Sequence, residues 1–219
     1  MLWLEARLRY HLLRPEPDDH VIRWRIAVRA HTSPSLSSSG PVSLLVGGLM
    51  ADELRRDEIE AWGKGDSVSD AADADSDALV EVCNSMDGPD DCLRLDEFKG
   101  AADPLVYLYR FELHPDFAEW KLSILDAACR LFPSDAVVFL PYYAAWASSD
   151  DLAHVGFRPW AGVGVDPNPP EGTIDDSARF LIRDNAAYIQ FDPSEYPAAC
   201  PAATNEHVRW LKLHRPWVE

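Results

Sequence analysis

The chain has 219 residues, a hydrophobic fraction of 47% and a formal net charge of −17. This length predicts one domain, with or without an insertion. The negative charge argues against a nucleic-acid binder, whose affinity comes mainly from neutralising phosphates, and against adhesion to an anionic membrane. No apolar run approaches the ~18 residues that a membrane-spanning helix needs.

The four cysteines and the first residues of the chain predict a cytoplasmic location. Residues 1–7 carry charges at positions where a secretory signal would be apolar. Cysteines in such a chain are expected to be reduced thiols. Their spacing does not match a zinc site, so no metal is predicted. They are Cys83, Cys92, Cys129 and Cys200.

Three segments before residue 51 are candidates for the first strands. Residues 2–13 fit either a short helix or a first strand. Residues 21–28 alternate apolar and polar side chains, which predicts a half-buried strand with arginines on its other face. Residues 42–50 are apolar and contain Gly47 and Gly48, which predict a strand with a bulge or with a close backbone approach.

Residues 66–91 form an acidic insertion of low complexity. The wider segment 50–103 holds 17 acidic and 5 basic residues, a net charge of −12. Such a composition is typical of a solvated excursion, and it also has the charge to attract a basic substrate or partner.

The segment 105–158 predicts a strand, a helix, a second strand and a second helix. Residues 105–113 form an aromatic and aliphatic strand that ends at His114 and Pro115. Asp116 is the predicted N-cap of the next helix. Residues 136–140 fit a buried strand, and Ser148 or Ser149 is expected to cap a helix that ends before Gly156. The apolar stripe of the first helix comprises Phe117, Trp120, Ile124, Ala128 and Leu131.

The order of these motifs resembles the core of the GNAT acyltransferase superfamily. The matching runs are residues 113–117 (Leu-His-Pro-Asp-Phe), the strand that ends at Pro141, and residues 154–159 (His-Val-Gly-Phe-Arg-Pro). The resemblance implies an α/β fold, with a mixed sheet and a central parallel β-α-β unit whose crossover is right-handed. It also implies a single GNAT-like domain, into which the acidic segment would be inserted before the fourth strand.

The resemblance also implies acetyl-CoA or another acyl-CoA as cofactor. In the family, an Arg-Gly-x-Gly-x-Gly/Ala run lets backbone amides at a helix start approach the pyrophosphate. Here the glycines and the arginine are replaced, and an acidic side chain at a helix start repels phosphate. Weak or absent acetyl-CoA binding is therefore expected, and Trp120 is predicted to have been recruited into packing. The corresponding cofactor contacts would come from the backbone near Leu113 and from Ala118, Glu119, Trp120, Lys121, Leu122 and Ser123.

Candidate catalytic residues follow from the same resemblance. Glu112 occupies the fourth-strand position at which some family members keep a general base, although pairing with Arg110 on the same strand face explains it equally well. The family's tyrosine acid is replaced by Leu152 or Asp151. Tyr142 or Tyr143 is the candidate substitute, with strand-end packing as the alternative.

The sequence is compatible with two functions. The first is an acyl-CoA-dependent N-acyltransferase acting on an amine-bearing small molecule or protein, in which a base deprotonates the amine before it attacks the thioester. The second is a non-catalytic GNAT-like protein that needs no cofactor and binds a protein partner. A basic partner would be compatible with the acidic charge of the chain.

Overall fold

The computed structural model describes residues 2–9, 21–32, 42–55, 103–141, 147–160, 180–188 and 200–214. Both the acidic insertion and the tyrosine pair at 142–143 lie outside these residues. The described elements are β1 (Leu2–Arg9), β2 (Val21–His31), β3 (Ser43–Leu54), β4 (Leu105–Leu113), a 3₁₀ helix η1 (Pro115–Trp120), α1 (Lys121–Cys129), β5 (Val137–Pro141), α2 (Ser149–His154), β6 (Arg158–Trp160), β7 (Phe180–Asp184) and α3 (Asn205–His214).

The strands form an open seven-stranded sheet in the order β1-β2-β3-β4-β5-β7-β6. Every neighbouring pair is antiparallel except β4 and β5, which are parallel. The mixed α/β class and the central parallel β-α-β unit are therefore confirmed, and strands dominate the described part of the chain. Residues 2–9 are a strand. None of the described helices is long and apolar enough to cross a membrane.

One face of the sheet packs against α1 and α2 to form the core. Alternate residues of β2 point to this face, and Trp24 meets the Phe132 ring edge-on at 5.4 Å. The opposite face carries a second set of buried aromatic residues where β4, β5, β6 and β7 run side by side. This set comprises Tyr107, Phe139, Trp160 and Phe180.

Gly47 allows β3 and β4 to approach closely. The register between β2 and β3 shifts beside Gly47, as expected for a bulge. A Cβ atom on Gly47 would lie 2.6 Å from the carbonyl oxygen of Glu112 and 2.7 Å from Leu113 Cδ1. The prediction of a bulge or a close backbone approach is confirmed, and the approach fixes the end of β4.

The helix after β4 begins differently from the prediction. Its N-cap is His114 and not Asp116. The Nδ1 atom of His114 accepts a hydrogen bond from the backbone amide of Asp116. Pro115 occupies the first position of η1, where its missing N–H costs nothing. The chain then passes into α1 at Lys121, and Leu131 at the far end of the predicted stripe is 40% exposed.

Helix α2 starts and ends as predicted. Ser148 and Asp151 form a reciprocal capping box. Gly156 follows the helix with φ of 86°, the left-handed conformation that glycine adopts without strain. Its missing side chain leaves room for the Tyr188 ring, because a Cβ atom there would lie 2.3 Å from Tyr188 Cδ2.

Candidate functional site at the carboxyl end of β4

The two parallel strands separate at their carboxyl ends. Their described pairing runs only from Leu105–Val137 to Tyr107–Phe139, while β4 continues to Leu113. In open α/β sheets, ligands bind beyond the carboxyl ends of the strands. We therefore call the residues around the end of β4 and the start of α1 the β4-end site.

Most of the predicted cofactor contacts lie along one stretch of this site. Ala118 and Glu119 are exposed, whereas Lys121 and Ser123 are half-buried. Three side chains turn toward the core and pack against it, and they are partly buried: Leu113, Trp120 and Leu122. A pyrophosphate bound along this stretch would therefore meet the exposed carboxylate of Glu119 and the indole of Trp120, which is partly packed against the core.

The amides at the start of this helical segment already have acceptors. The Asp116 amide donates to His114 Nδ1 at 3.2 Å, and the Phe117 amide donates to the His114 carbonyl oxygen at 2.9 Å. The Lys121 amide donates to the Ala118 carbonyl oxygen. Because η1 leads directly into α1, these amides are used within the chain and are not directed at a ligand.

Glu112 and Lys121 interact electrostatically across the site. Burial lowers the pKa of the Lys121 ammonium, and the negative charge of Glu112 opposes this shift. Glu112 is half-buried and shares a strand face with the exposed Arg110, two residues earlier.

A second group of side chains meets at the same place. His207, from α3, donates from Nε2 to Asp116 Oδ2 at 3.0 Å. The ring of His207 lies 4.3 Å from the ring of His114 and meets the Phe117 ring edge-on at 5.2 Å. We call His114, Asp116 and His207 the clasp, since these contacts hold α3 against the end of β4.

The clasp has the composition of a cation site but the hydrogen bonding of a structural contact. The ligand atoms of its three residues lie within 4.8 Å of one another. His207 Nδ1 accepts the Thr204 amide at 3.1 Å, so in the neutral ring the proton is on Nε2, which faces Asp116. His114 Nδ1 is likewise occupied by an amide donor. A metal ion would have to displace these bonds, so the clasp serves to attach α3.

The surroundings of His114 favour its neutral form. Burial is the larger reason for its lowered pKa, and the charge that His207 can carry adds to it. Asp116 opposes the shift. Its carboxylate is 60% exposed and lies 3.7 Å from His114 Nδ1, so its effect is screened by water.

Sequence reasoning did not find the clasp. The sequence pattern identifies His114 only as a histidine at the end of a strand, and it gives no reason to select His207 among the seven histidines. The residue types alone carry no signal, because Asp116 and His207 are 91 positions apart and meet only through the docking of α3. A histidine three residues after Thr204, at a capping-box position, was the one local hint.

Comparisons with known proteins add no family to this description. Neither the protein-family models, nor the curated proteins, nor the solved structures gave a match to this chain.

Proposed function

We propose that this chain is a GNAT-like protein that acts by binding a protein partner and does not use acyl-CoA. The observation that carries the proposal is the internal use of the amides at the start of η1 and α1. Binding of a pyrophosphate needs such amides to be available at a helix start. Here the Asp116 and Phe117 amides are bonded to His114.

The charges around that helix start support the same reading. Asp116 and Glu119 are both exposed there. Carboxylates near a helix N-terminus stabilise the helix, because they complement its positive end. They also repel a phosphate, and each would have to be offset before coenzyme A could bind.

The partner we propose is a basic protein. The chain carries a net charge of −17, which raises the association rate of a positively charged partner and suppresses acidic ones. The clasp joins the start of η1 to α3 at the β4-end site. These two elements therefore offer a partner a surface with one fixed arrangement.

Acyl transfer is the second candidate, and one observation favours it. The strands β4 and β5 stop pairing after three residue pairs, and Glu112 lies on the part of β4 beyond that point. A carboxylate at such a place fits the role of a general base toward an amine. The acyl donor would then be acetyl-CoA or another acyl-CoA, held by contacts other than the amides of η1.

Thermal melting with and without acetyl-CoA separates the two candidates. A ligand at 1 mM bound to a micromolar site stabilises the native state by about 4 kcal/mol. We expect no such stabilisation, and no release of free thiol when amines are added. A clear shift that grows in Glu119→Arg, where a cation replaces a repelling carboxylate, but not in a distant charge change of the same sign would overturn the binding-only proposal.

The charge of the partner can be tested by selection from a random peptide display library. We expect the enriched peptides to carry net positive charge. Counter-selection on an unrelated protein of similar negative charge removes peptides that respond to charge alone. Enrichment of neutral or acidic peptides would contradict the proposed basic partner.

A further inference from the structure

A groove of about 350 Å³ lies between helix α3 and the strands β1, β2 and β3. This volume is within the range of small-molecule sites, roughly 300 to 1,000 Å³. The groove is separate from the β4-end site, since it is lined by β1, β2, β3 and α3. Its cationic side chains are Arg7, Arg25, Arg29 and Lys212, and its apolar ones include Leu44, Leu45, Met50 and Val208.

Two arginines of this groove lie side by side on neighbouring strands. Arg7 and Arg25 are directly opposite one another in the β1–β2 register. Like charges in that position destabilise a strand pair. An anion bound between them would convert this repulsion into attraction.

The charge of the groove is only partly balanced. Glu5 accepts hydrogen bonds from Arg7, at 2.9 Å, and from Arg29. These bonds hold the pKa of Glu5 below its ordinary value, with the Arg7 bond as the larger cause. Arg25 is exposed, and its side chain makes no hydrogen bond or ion pair with the residues that the structure describes. Within the part of the chain that the structure describes, Glu5 therefore balances two arginines of the groove, and the charge of Arg25 stays exposed in a chain that is strongly acidic.

We propose that this groove binds a small organic oxyanion with an apolar tail. Guanidinium groups pair with carboxylates and phosphates through two parallel hydrogen bonds, and Arg25 is available for such a pair. The apolar side chains of Leu45, Met50 and Val208 line the groove beside the arginines, Leu45 opposite Arg29 and Met50 opposite Arg25, and would remove the tail from water. A carboxylate and a phosphate monoester share this chemistry, and the experiment distinguishes them.

Isothermal titration of the full chain with octyl phosphate and with sodium octanoate tests the proposal. We expect saturable binding of at least one, and the tighter ligand identifies the head group. Inorganic phosphate is expected to bind much more weakly. Equal binding of inorganic phosphate would overturn the role of the apolar side chains, and no binding of either amphiphile at 5 mM, about five times a weak Kd of 1 mM, would overturn the site.

Charge variants locate the binding. Arg25→Glu is expected to weaken it by about tenfold or more, because it reverses the charge that pairs with the anion, and Arg25→Lys by less, because lysine keeps the charge and loses only the two parallel hydrogen bonds. Arg7→Glu gives the same test at the position opposite Arg25 on β1. Arg158→Glu makes the same charge change on β6, at the far edge of the sheet, and is expected to bind as the wild type does. An equal loss in Arg158→Glu would overturn the groove as the site.

Two alternatives are separated by the same variants. A single-stranded oligonucleotide that binds more tightly than both amphiphiles, and loses binding in Arg25→Glu, would overturn the small-ligand proposal in favour of nucleic acid. Coenzyme A also carries phosphates, so the acetyl-CoA melting experiment is repeated in Arg25→Glu. A shift lost in that variant belongs to the groove and leaves the β4-end proposal intact.

Discussion

Asp126 and Arg183 form a buried ion pair that joins α1 to β7. Their side chains are 0% and 2% exposed, and Arg183 Nη1 donates to Asp126 Oδ1 at 2.8 Å. Arg183 also donates to the Val155 carbonyl oxygen after α2, and its guanidinium lies 3.8 Å from the centre of the Tyr188 ring. Asp126 is further bonded to the partly exposed Arg130. The pair thus connects both helices of the core to the sheet.

Asp126→Ala is expected to lower the free energy of unfolding by about 3 to 5 kcal/mol, because it leaves the Arg183 charge buried without its carboxylate. The double variant Asp126→Ala, Arg183→Met removes both charges and should lose less than the single variant. Urea denaturation of the three proteins measures this. A loss under 1 kcal/mol in Asp126→Ala would mean that water reaches Arg183.

At the scale of elements, Trp120 joins η1 to α1. It is the last residue of η1, and its indole is partly buried against the core. The sequence predicted that this residue would be recruited into packing, and its contact with the core agrees with that interpretation. Its partial exposure places its contribution between those of a core residue and a surface residue.

Trp120→Ala is expected to cost about 2 kcal/mol, below the 3 to 5 kcal/mol of a fully buried tryptophan and above an ordinary surface change. Chemical denaturation measures the cost, and Leu131→Ala, at the exposed end of the predicted stripe, serves as the control with a smaller loss. A cost under 0.5 kcal/mol would show that the indole is only loosely packed, and would favour an open ligand site beside it.

The sequence predicts elements well where the signal is local. The alternation in β2, the aromatic run of β4 and the capping box of α2 all depend on residues within a few positions, and all three are present. The predicted start of the helix after β4 is wrong. Asp116 has the capping residue type, but Pro115 begins a 3₁₀ turn one residue earlier and His114 takes the capping role.

The candidate site could be predicted only in part, for a physical reason. Glu112 and Lys121 lie near each other in sequence, so the β4-end site follows from the strand and helix pattern. The clasp and the arginine groove depend on the docking of α3, which brings His207 and Lys212 beside β3 and β4 from the other end of the chain. The composition of a helix does not state where it docks.

For the whole molecule, the clasp links two distant parts of the chain and gives the folded state a dependence on pH. His114 has a lower pKa in the folded protein than its ordinary 6.5, through burial and through His207. The unfolded chain therefore takes up a proton on His114 at a higher pH than the folded chain does. The contribution of His114 to the free energy of unfolding is therefore fully present above about pH 6.5. It is lost as the pH falls from there toward the pKa that His114 has in the folded protein.

The last prediction is that the wild type loses more stability between pH 7.5 and pH 5.5 than His114→Gln, which keeps a polar side chain but does not titrate. The difference is limited to about 1.4 kcal/mol per pH unit, the value for one proton. Urea unfolding at the two pH values measures it, and the carboxylates of the chain contribute to both proteins alike. The exposed His154 on α2 provides the matched control, since His154→Gln should follow the wild type. If His114→Gln loses as much stability as the wild type, protonation of His114 does not oppose the docking of α3, and the clasp is held by packing of Phe117 and Trp210 against the histidine rings.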